Sequence, residues 1–546
     1  MAPQRQTPQR PQDDPSLDQD KYKEGGNDMD KDGDLIRSMS ITEGQVTCVP
    51  DPASPHGSFL EAARAWPYAI VWSIVFSNTL ILVAYCPAWI AQLYALPAFT
   101  TRFGYEYQGQ YVIDAKWQAA LAAASMGGQF IGAPAIAILM DKYGRKPAFM
   151  GCLVVIASFT FIQIFSTTLP VLLTGTILVG TALGCFGVLS LTYAMEVAPL
   201  HLRGVLGGVY SIGIVIGPLL SVVIAQGAVH MSSVWGYRMG FAVQWAWPLF
   251  LLPSVAFAPE SPVWLIRQGR AADAEAALRR LAVWDLDVLP DLERIVALDL
   301  HEQALEASSS YLDIFKGTNL RRTLISAVSY ASIATTGNTL TNSGAYFMLW
   351  QEGADQERYV VVGVDANTGF YWSLACSLGA FLGSLPSLWI LAKYRRRWIY
   401  FWAQLSGAVC LLAIGFIQIN PQYYETYNSV FTQGAFMVIW NLIYGAAIGP
   451  LSTVIMGEVP SNALRAKTVA FATMTQVALM VVGLTINPYF LDPEHGHLQG
   501  YVGFIAGGSE LLWTVWSFFC LPETSLSVER LDELFNNKVS ARHFVE

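Results

Sequence analysis

Two glutamates in this chain are each followed seven residues later by an arginine, Glu196 by Arg203 and Glu458 by Arg465. Two further charged landmarks recur at a similar distance. Asp141-Lys-Tyr-Gly-Arg-Lys146 returns as Ala392-Lys-Tyr-Arg-Arg-Arg397, an offset of 392 − 141 = 251, with the cations kept and the Asp and Gly lost. Pro259-Glu-Ser261 returns as Pro522-Glu-Thr524, offset 522 − 259 = 263, close to the 458 − 196 = 262 between the two glutamates. Asp141, Arg145, Glu196, Arg203, Glu260, Glu458, Arg465 and Glu523 therefore form a set of anions and cations that can pair in one arrangement of the chain and part in another. Pairs of that kind bias a two-state equilibrium, with helix termini as further partners. The other role open to a charge at the edge of an apolar stretch is to snorkel to a membrane surface. That role fits Arg395 to Arg397, whereas the doubled spacing favours a gate for Glu196, Arg203, Glu458 and Arg465.

Other chemistry has little support. Seven cysteines stand without CxxC spacing, all but Cys48 in apolar runs, and seven histidines without HExxH, so neither a metal site nor a cofactor is expected. No nucleophile, base and orienting acid come together, which argues against an enzyme. Acidic residues outnumber basic ones by 41 − 32 = 9, which removes the basic face that nucleic-acid binding needs.

The elements that must position these charges are apolar helices. Of 546 residues, 53% are hydrophobic and 13% charged. A soluble domain carries roughly a quarter charged residues, so a simple water-soluble enzyme is excluded. Crossing a ~30 Å hydrocarbon core takes about 20 apolar residues. Twelve such spans are predicted: 65–101, 117–140, two in 147–195 split at 166–170, 204–229, 239–258, then 323–351, 366–392, 398–419, 431–456, 468–491 and 501–521. Around them the composition predicts a disordered tail over 1–58, a first six-helix bundle over 59–259, a charged loop over 260–322, a second bundle over 323–521 and a C-terminal tail over 522–546. Within the loop, AADAEAALRRLAVW has the composition of a solvent-facing amphipathic helix.

Positive charge accumulates on the cytoplasmic side of short loops. Lys142, Arg145, Lys146, Arg203, Lys393, Arg395, Arg396, Arg397, Arg465 and Lys467 fall on one face, against Arg102, Lys116, Arg238 and Arg358 on the other. Both termini are thus expected in the cytosol, consistent with an N-terminus lacking the apolar stretch of a secretory signal. The three repeated landmarks imply two six-helix bundles related by duplication, an all-α integral membrane fold suited to alternating access around a midplane site.

DKYGRK, YAMEVAPLHLRG from Tyr193, PESPVWL from Pro259, GEVPSNALRAK from Gly457 and LPETSLSVERLDELF from Leu521 carry a resemblance. In that order they resemble the successive signatures of the sugar-porter family of the major facilitator superfamily. The likeness runs from about Trp66 to Phe535. Within the family, YALPAF from Tyr94, AKWQ from Ala115, GNTLTNSGAYF from Gly337 and NPYFLDP from Asn487 resemble the fungal α-glucoside (maltose-type) permeases. The resemblance implies a transporter that takes a small organic solute through the bilayer, acting as a monomer in the plasma membrane. It also implies a charge network closing the cytoplasmic side when the site faces out.

A sugar site must supply donors and acceptors, usually amides and an aromatic face. Where sugar porters place glutamine on span five this chain has Ser211, where span seven opens with a glutamine pair it has Ile333 and Ala334, and the usual aromatic of span ten corresponds to Thr453. The remaining polar candidates are Gln129, Thr335, Thr336, Asn338, Thr339, Asn342 and Asn441, each equally able to make a helix-packing hydrogen bond. The related symporters carry acids on span one, and the matching stretch here is Val83-Ala84-Tyr85-Cys86. Glu510 is the one acid deep in a predicted span. Proton coupling is therefore expected to be weak or absent.

Three functions compete at this point. One is a sugar or polyol carrier, and the second a carrier or exporter of a less polar metabolite, in keeping with the lost amides and acids. The third is a non-transporting nutrient receptor, against which the short stretch of some 25 residues after Leu521 counts.

Overall fold

The computed structural model describes residues 63–107, 109–283, 286–307, 310–349, 365–419, 427–461, 464–492, 494–496, 498–525, 528–537 and 539–544. The tail predicted over 1–58 lies outside them. Nine helical segments among the described residues are long and apolar enough to cross a membrane.

The first half consists of α1 (Pro67–Ser77), α2 (Thr79–Leu93), a short α3 (Pro97–Phe103), α4 (Ala115–Tyr143), α5 (Arg145–Ile164), α6 (Leu169–Val197), α7 (Leu200–Ala228), α8 (Trp235–Val243) and α9 (Ala246–Ala256). α1 and α2 together form the first span, interrupted at Asn78. A two-stranded antiparallel hairpin, β1 (Tyr105–Tyr107) and β2 (Gln110–Val112), stands between α3 and α4 in the register Tyr105↔Val112. The charged loop folds as α10 (Pro262–Arg267), α11 (Ala271–Leu281) and α12 (Leu289–Ala307). α11 is the expected amphipathic helix: Ala274, Leu278 and Leu281 are buried on one face while Arg279 lies exposed on the other.

The second half comprises α13 (Gly317–Thr335), α14 (Asn338–Asn342), α15 (Gly344–Leu349), α16 (Ala366–Lys393), α17 (Arg396–Ile419), α18 (Tyr427–Ile443), α19 (Gly449–Glu458), α20 (Arg465–Leu491), α21 (Val502–Cys520) and α22 (Val528–Asn536). α7, α13 and α16 occupy the positions of predicted spans five, seven and eight. Two spans that read as continuous are interrupted. Span seven breaks at Thr336-Gly337 between α13 and α14. Span ten carries a π-helical segment, Tyr444–Ile448, directly before Gly449-Pro450. Pro450 has no N–H and its ring crowds the carbonyl four residues back, so a widened turn there relieves the clash.

Helix packing in lipid relies on close backbone approach, and glycines supply it at matched places in the two halves. A Cβ on Gly132 of α4 would lie 1.9 Å from the Thr181 carbonyl oxygen of α6. A Cβ on Gly383 of α16 would lie 2.2 Å from the Leu442 carbonyl oxygen of α18. The separation 383 − 132 = 251 equals that of the two charged loops, so packing and charge follow the same duplication.

Gly132→Ala is expected to lower the melting temperature of the purified protein, by the roughly 1–3 kcal/mol of an overpacked contact. Gly127, on the same helix with open space at its Cβ position, is the control. Gly127→Ala should be neutral or stabilising by up to about 1 kcal/mol through helix propensity.

Candidate functional site

The charged residues at one end of the bundles are arranged twice. In the first half the Arg145 guanidinium, with 2% of its side chain exposed, grips Glu196: Nε reaches Oε2 at 2.9 Å and Nη2 reaches Oε1 at 2.7 Å. Its Nη1 donates to the Met140 carbonyl at 3.1 Å and approaches Asp141 at 3.4 Å. Glu260 accepts backbone N–H bonds from Arg145 (2.9 Å), Lys146 (3.2 Å) and Ser261 (2.9 Å), so a carboxylate from a distant loop caps the N-terminus of α5. Burial raises the Glu260 carboxyl above the usual carboxylate range, opposed by those N–H donors and by Arg145. Ser261 Oγ closes the cluster with a 2.5 Å bond to Glu196. Gly144, at φ 97°, is required twice over, since a Cβ there would also stand 2.7 Å from Glu260 Oε2.

The second half repeats the pattern. Glu523 accepts N–H bonds from Arg396 (3.1 Å), Thr524 (3.2 Å) and Ser525 (3.3 Å), capping α17 as Glu260 caps α5. Arg396 bonds Glu458 through Nη1. The cation on Glu196 is thus Arg145 and the cation on Glu458 is Arg396. Arg465 is exposed and forms no ion pair among the described residues, and the side chain of Arg203 lies outside them. Arg396 carried a signal that spacing within one half obscured: 396 − 145 = 251 is the offset of the whole loop.

Four hydrogen bonds that join the two halves lie at the opposite end. The Ala115 N–H donates to Asp492 Oδ2 at 3.0 Å, and Gln118 Nε2 donates to the Tyr346 hydroxyl at 3.1 Å. Tyr105 bonds Glu494, and Gln226 bonds Asn367. None of these residues was singled out as functional from the sequence, because each pairing depends on which helix ends face each other across the halves.

The polar candidates in the spans scatter. Thr335 accepts from Trp513 Nε1 at 2.7 Å, and its carbonyl accepts from Ser509, so it faces α21. Thr336 is buried at the break of span seven and turns its hydroxyl back to the Ile333 carbonyl. Asn338 is half-buried just beyond that break, whereas the side chains of Thr339, Asn342 and Ser211 lie outside the described residues. Asn441 donates to the Met437 carbonyl of its own helix at 2.9 Å, and Thr453 is exposed and back-bonded to Gly449 at 3.2 Å. The amide nitrogen of half-buried Gln129 has no hydrogen-bond partner among the described residues. Both amide atoms of buried Gln404 share that state, and sequence reasoning had passed over Gln404. Glu510 is fully buried, accepts from Trp440 Nε1 at 2.8 Å, and fills the notch left by Gly407, whose Cβ would fall 2.1 Å from Oε1.

A family model described as "Sugar (and other) transporter" matches residues 72–535. The chain belongs to that family. It is a multi-pass membrane transporter of the sugar class, and not an enzyme. Among curated proteins it is 29% identical over 530 residues to the general alpha-glucoside permease of Saccharomyces cerevisiae, covering 95% of this chain and 83% of that one. It is 30% identical over 497 residues to the maltose permease MAL31 of the same species, covering 89% and 78%. Among solved structures it is similar to the xylose transporter XylE from E. coli in a partially occluded inward open conformation, with TM-score 0.66, 17% identity and coverage of 84% of this chain and 99% of that one. The inward open form of XylE gives a TM-score of 0.64 at 18% identity, with coverage of 85% and 99%. The fold is therefore that of the major facilitator superfamily.

The geometry predicts unequal costs for the transporter's arginines. Removing one member of a buried pair costs about 3–5 kcal/mol, because its partner is left as an unpaired charge. Arg145→Ala should therefore melt well below the parent protein, while Arg465→Ala stays within about 0.5 kcal/mol, as exposed positions do. Thermal unfolding of both variants in one detergent compares them directly.

Proposed function

We propose that this transporter is a carrier for an α-glucoside or related polyol, working as a monomer by alternating access through twelve spans, with both termini on the cytoplasmic side of the plasma membrane. The observation that carries the reading is the broken, polar span seven between two duplicated halves. A discontinuous helix at a bundle interface exposes backbone and side-chain polar groups to a solute. Support for the substrate class comes from the permeases named above. The duplicated clusters around Glu196 and Glu458 lie at the end that positive charge assigns to the cytosol, and in this reading they stiffen each half so that the halves rock as bodies.

Proton coupling is weak or absent in this reading. Span one carries no acid: Tyr85 donates its hydroxyl to the Gly240 carbonyl at 2.7 Å, and Cys86 is buried beside it. Glu510 serves to hold Trp440 against the break of span seven, where a Cβ on Gly337 would come within 3.1 Å of the indole. A second reading, a carrier or exporter of a less polar metabolite, draws on Ile333 and Ala334 standing where sugar porters have amides.

Cells without endogenous permeases that express the chain should take up labelled maltose or another α-glucoside, without matching alkalinisation of a weakly buffered medium. Stoichiometric proton entry that survives Glu510→Gln would overturn the uncoupled reading. Uptake of none of the sugars or polyols offered, alongside efflux of an apolar solute, would favour the second. Glu196→Gln at matched surface expression should lower uptake several-fold, and normal uptake would remove Glu196 from the mechanism.

A further inference from the structure

Four stretches set this chain's branch apart in sequence: YALPAF, AKWQ, GNTLTNSGAYF and NPYFLDP. The charge clusters account for none of them, yet the fold brings all four to one place, the end opposite the Asp141–Lys146 loop. Tyr94 of the first donates its hydroxyl to the carbonyl of Gln118 in the second, at 3.0 Å. Gln118 in turn holds Tyr346 of the third, and the Tyr94 and Tyr346 rings meet edge-on with centroids 6.5 Å apart. Asn487 of the fourth reaches Ser343 of the third at 3.5 Å. Asp492, also of the fourth, accepts the N–H of Ala115 in the second.

That last contact is unusual in its origin. α4 has its own cap, Asp114, whose side chain accepts the Lys116 N–H at 2.9 Å. The remaining N–H at Ala115 is satisfied by a carboxylate from the other half of the molecule. The Asp492 side chain is completely buried there, steadied by the Glu494 N–H on Oδ1 at 2.9 Å and by His495 at 3.4 Å from Oδ2. A buried carboxylate on a helix N-terminus gains both a charge-assisted hydrogen bond and the field of the helix. Separating the halves at this end forfeits both.

We propose that the four stretches form one latch shutting this end of the transporter, with Asp492 as its lock on α4. The latch rests on the alternating-access reading given above. It holds the resting carrier in the arrangement with this end shut, and its release is part of every opening on this side. The Gln226–Asn367 and Tyr105–Glu494 bonds flank it across the same seam.

The test uses spin labels on the full chain, one on each half at this end, at the exposed positions Tyr111 and Tyr501, in a Cys48→Ser, Cys520→Ser background. Distance distributions are compared in lipid nanodiscs. Asp492→Ala should raise the ratio of long to short distances about tenfold, the size expected for one charge-assisted hydrogen bond, and Asp492→Asn, which keeps an acceptor, should raise it less. Ala115→Pro removes the donor from the other side at a position where a helix accepts proline, so it should shift the ratio in the same direction even if Asp492→Ala fails to fold. Combined with Asp492→Ala it should add little. Unchanged distances in both single variants overturn the latch whatever the transport assays give. Shifted distances in a chain that moves no sugar keep the latch and reject the carrier reading instead.

Discussion

A backbone amide or a charge surrounded by hydrocarbon has no water to bond, and the rest of this structure depends on that constraint. Every span is helical because only a helix satisfies its own N–H and C=O groups there. Several hydroxyls inside the spans turn back to their own helix: Thr160 to the Ile156 carbonyl at 2.8 Å, Ser452 to Ile448 at 2.7 Å, Thr514 to Glu510 at 2.9 Å. Ionised groups collect at helix ends. Since apolar side chains gain little by leaving lipid for one another, the helices hold together by close approach, and Gly132 and Gly383 make that approach possible at equivalent positions.

The same constraint explains the two carboxylate clusters. The first turn of α5 and of α17 leaves N–H groups without helical partners, and in each half a glutamate from just beyond the last span, Glu260 after α9 or Glu523 after α21, supplies the acceptor. An arginine from the start of the capped helix then ties in the glutamate at the end of α6 or α19, Glu196 or Glu458. The three members come from three separate elements, so each cluster binds the third, fourth and sixth spans of its half into one body. The halves are not equal. Arg145 is 2% exposed and engages both oxygens of Glu196, while Arg396 is 23% exposed and bonds Glu458 through one nitrogen. The loss of Asp141 and Gly144 in the second copy, replaced by Ala392 and Arg395, accompanies this looser arrangement.

Between the clusters the second half departs from regular helix in two places, the break at Thr336-Gly337 and the π-helical turn before Pro450. Trp440 lies between them, stacked on Tyr444 of the π segment with centroids 5.2 Å apart and bonded to Glu510. The irregular backbone is thus buttressed by an aromatic pair and a buried carboxyl. The first half has its own interruption at Asn78, where Trp247 Nε1 donates to the Asn78 carbonyl at 3.1 Å and the Trp247 and Tyr85 rings lie 6.0 Å apart.

Sequence alone determined the membrane class, the repeated charged landmarks and the family, because each depends on local composition or on short stretches in fixed order. It also located Glu196, Glu260, Glu458 and Glu523 as a charged set, since acids are rare enough at span ends to stand out. Partnership was another matter. The structure puts Arg145 and Arg396 on the two glutamates, because ion pairs form between helix ends adjacent in space and a spacing within one segment does not report that adjacency. Thr335, one of the polar candidates open to either role, accepts a hydrogen bond from Trp513, since helix rotation, which sequence periodicity leaves open, decides where a side chain points. Asp492 sat unremarked at the end of NPYFLDP until tertiary structure set it on a helix from the other half, a contact 492 − 115 = 377 residues apart that only the docking of the two bundles creates.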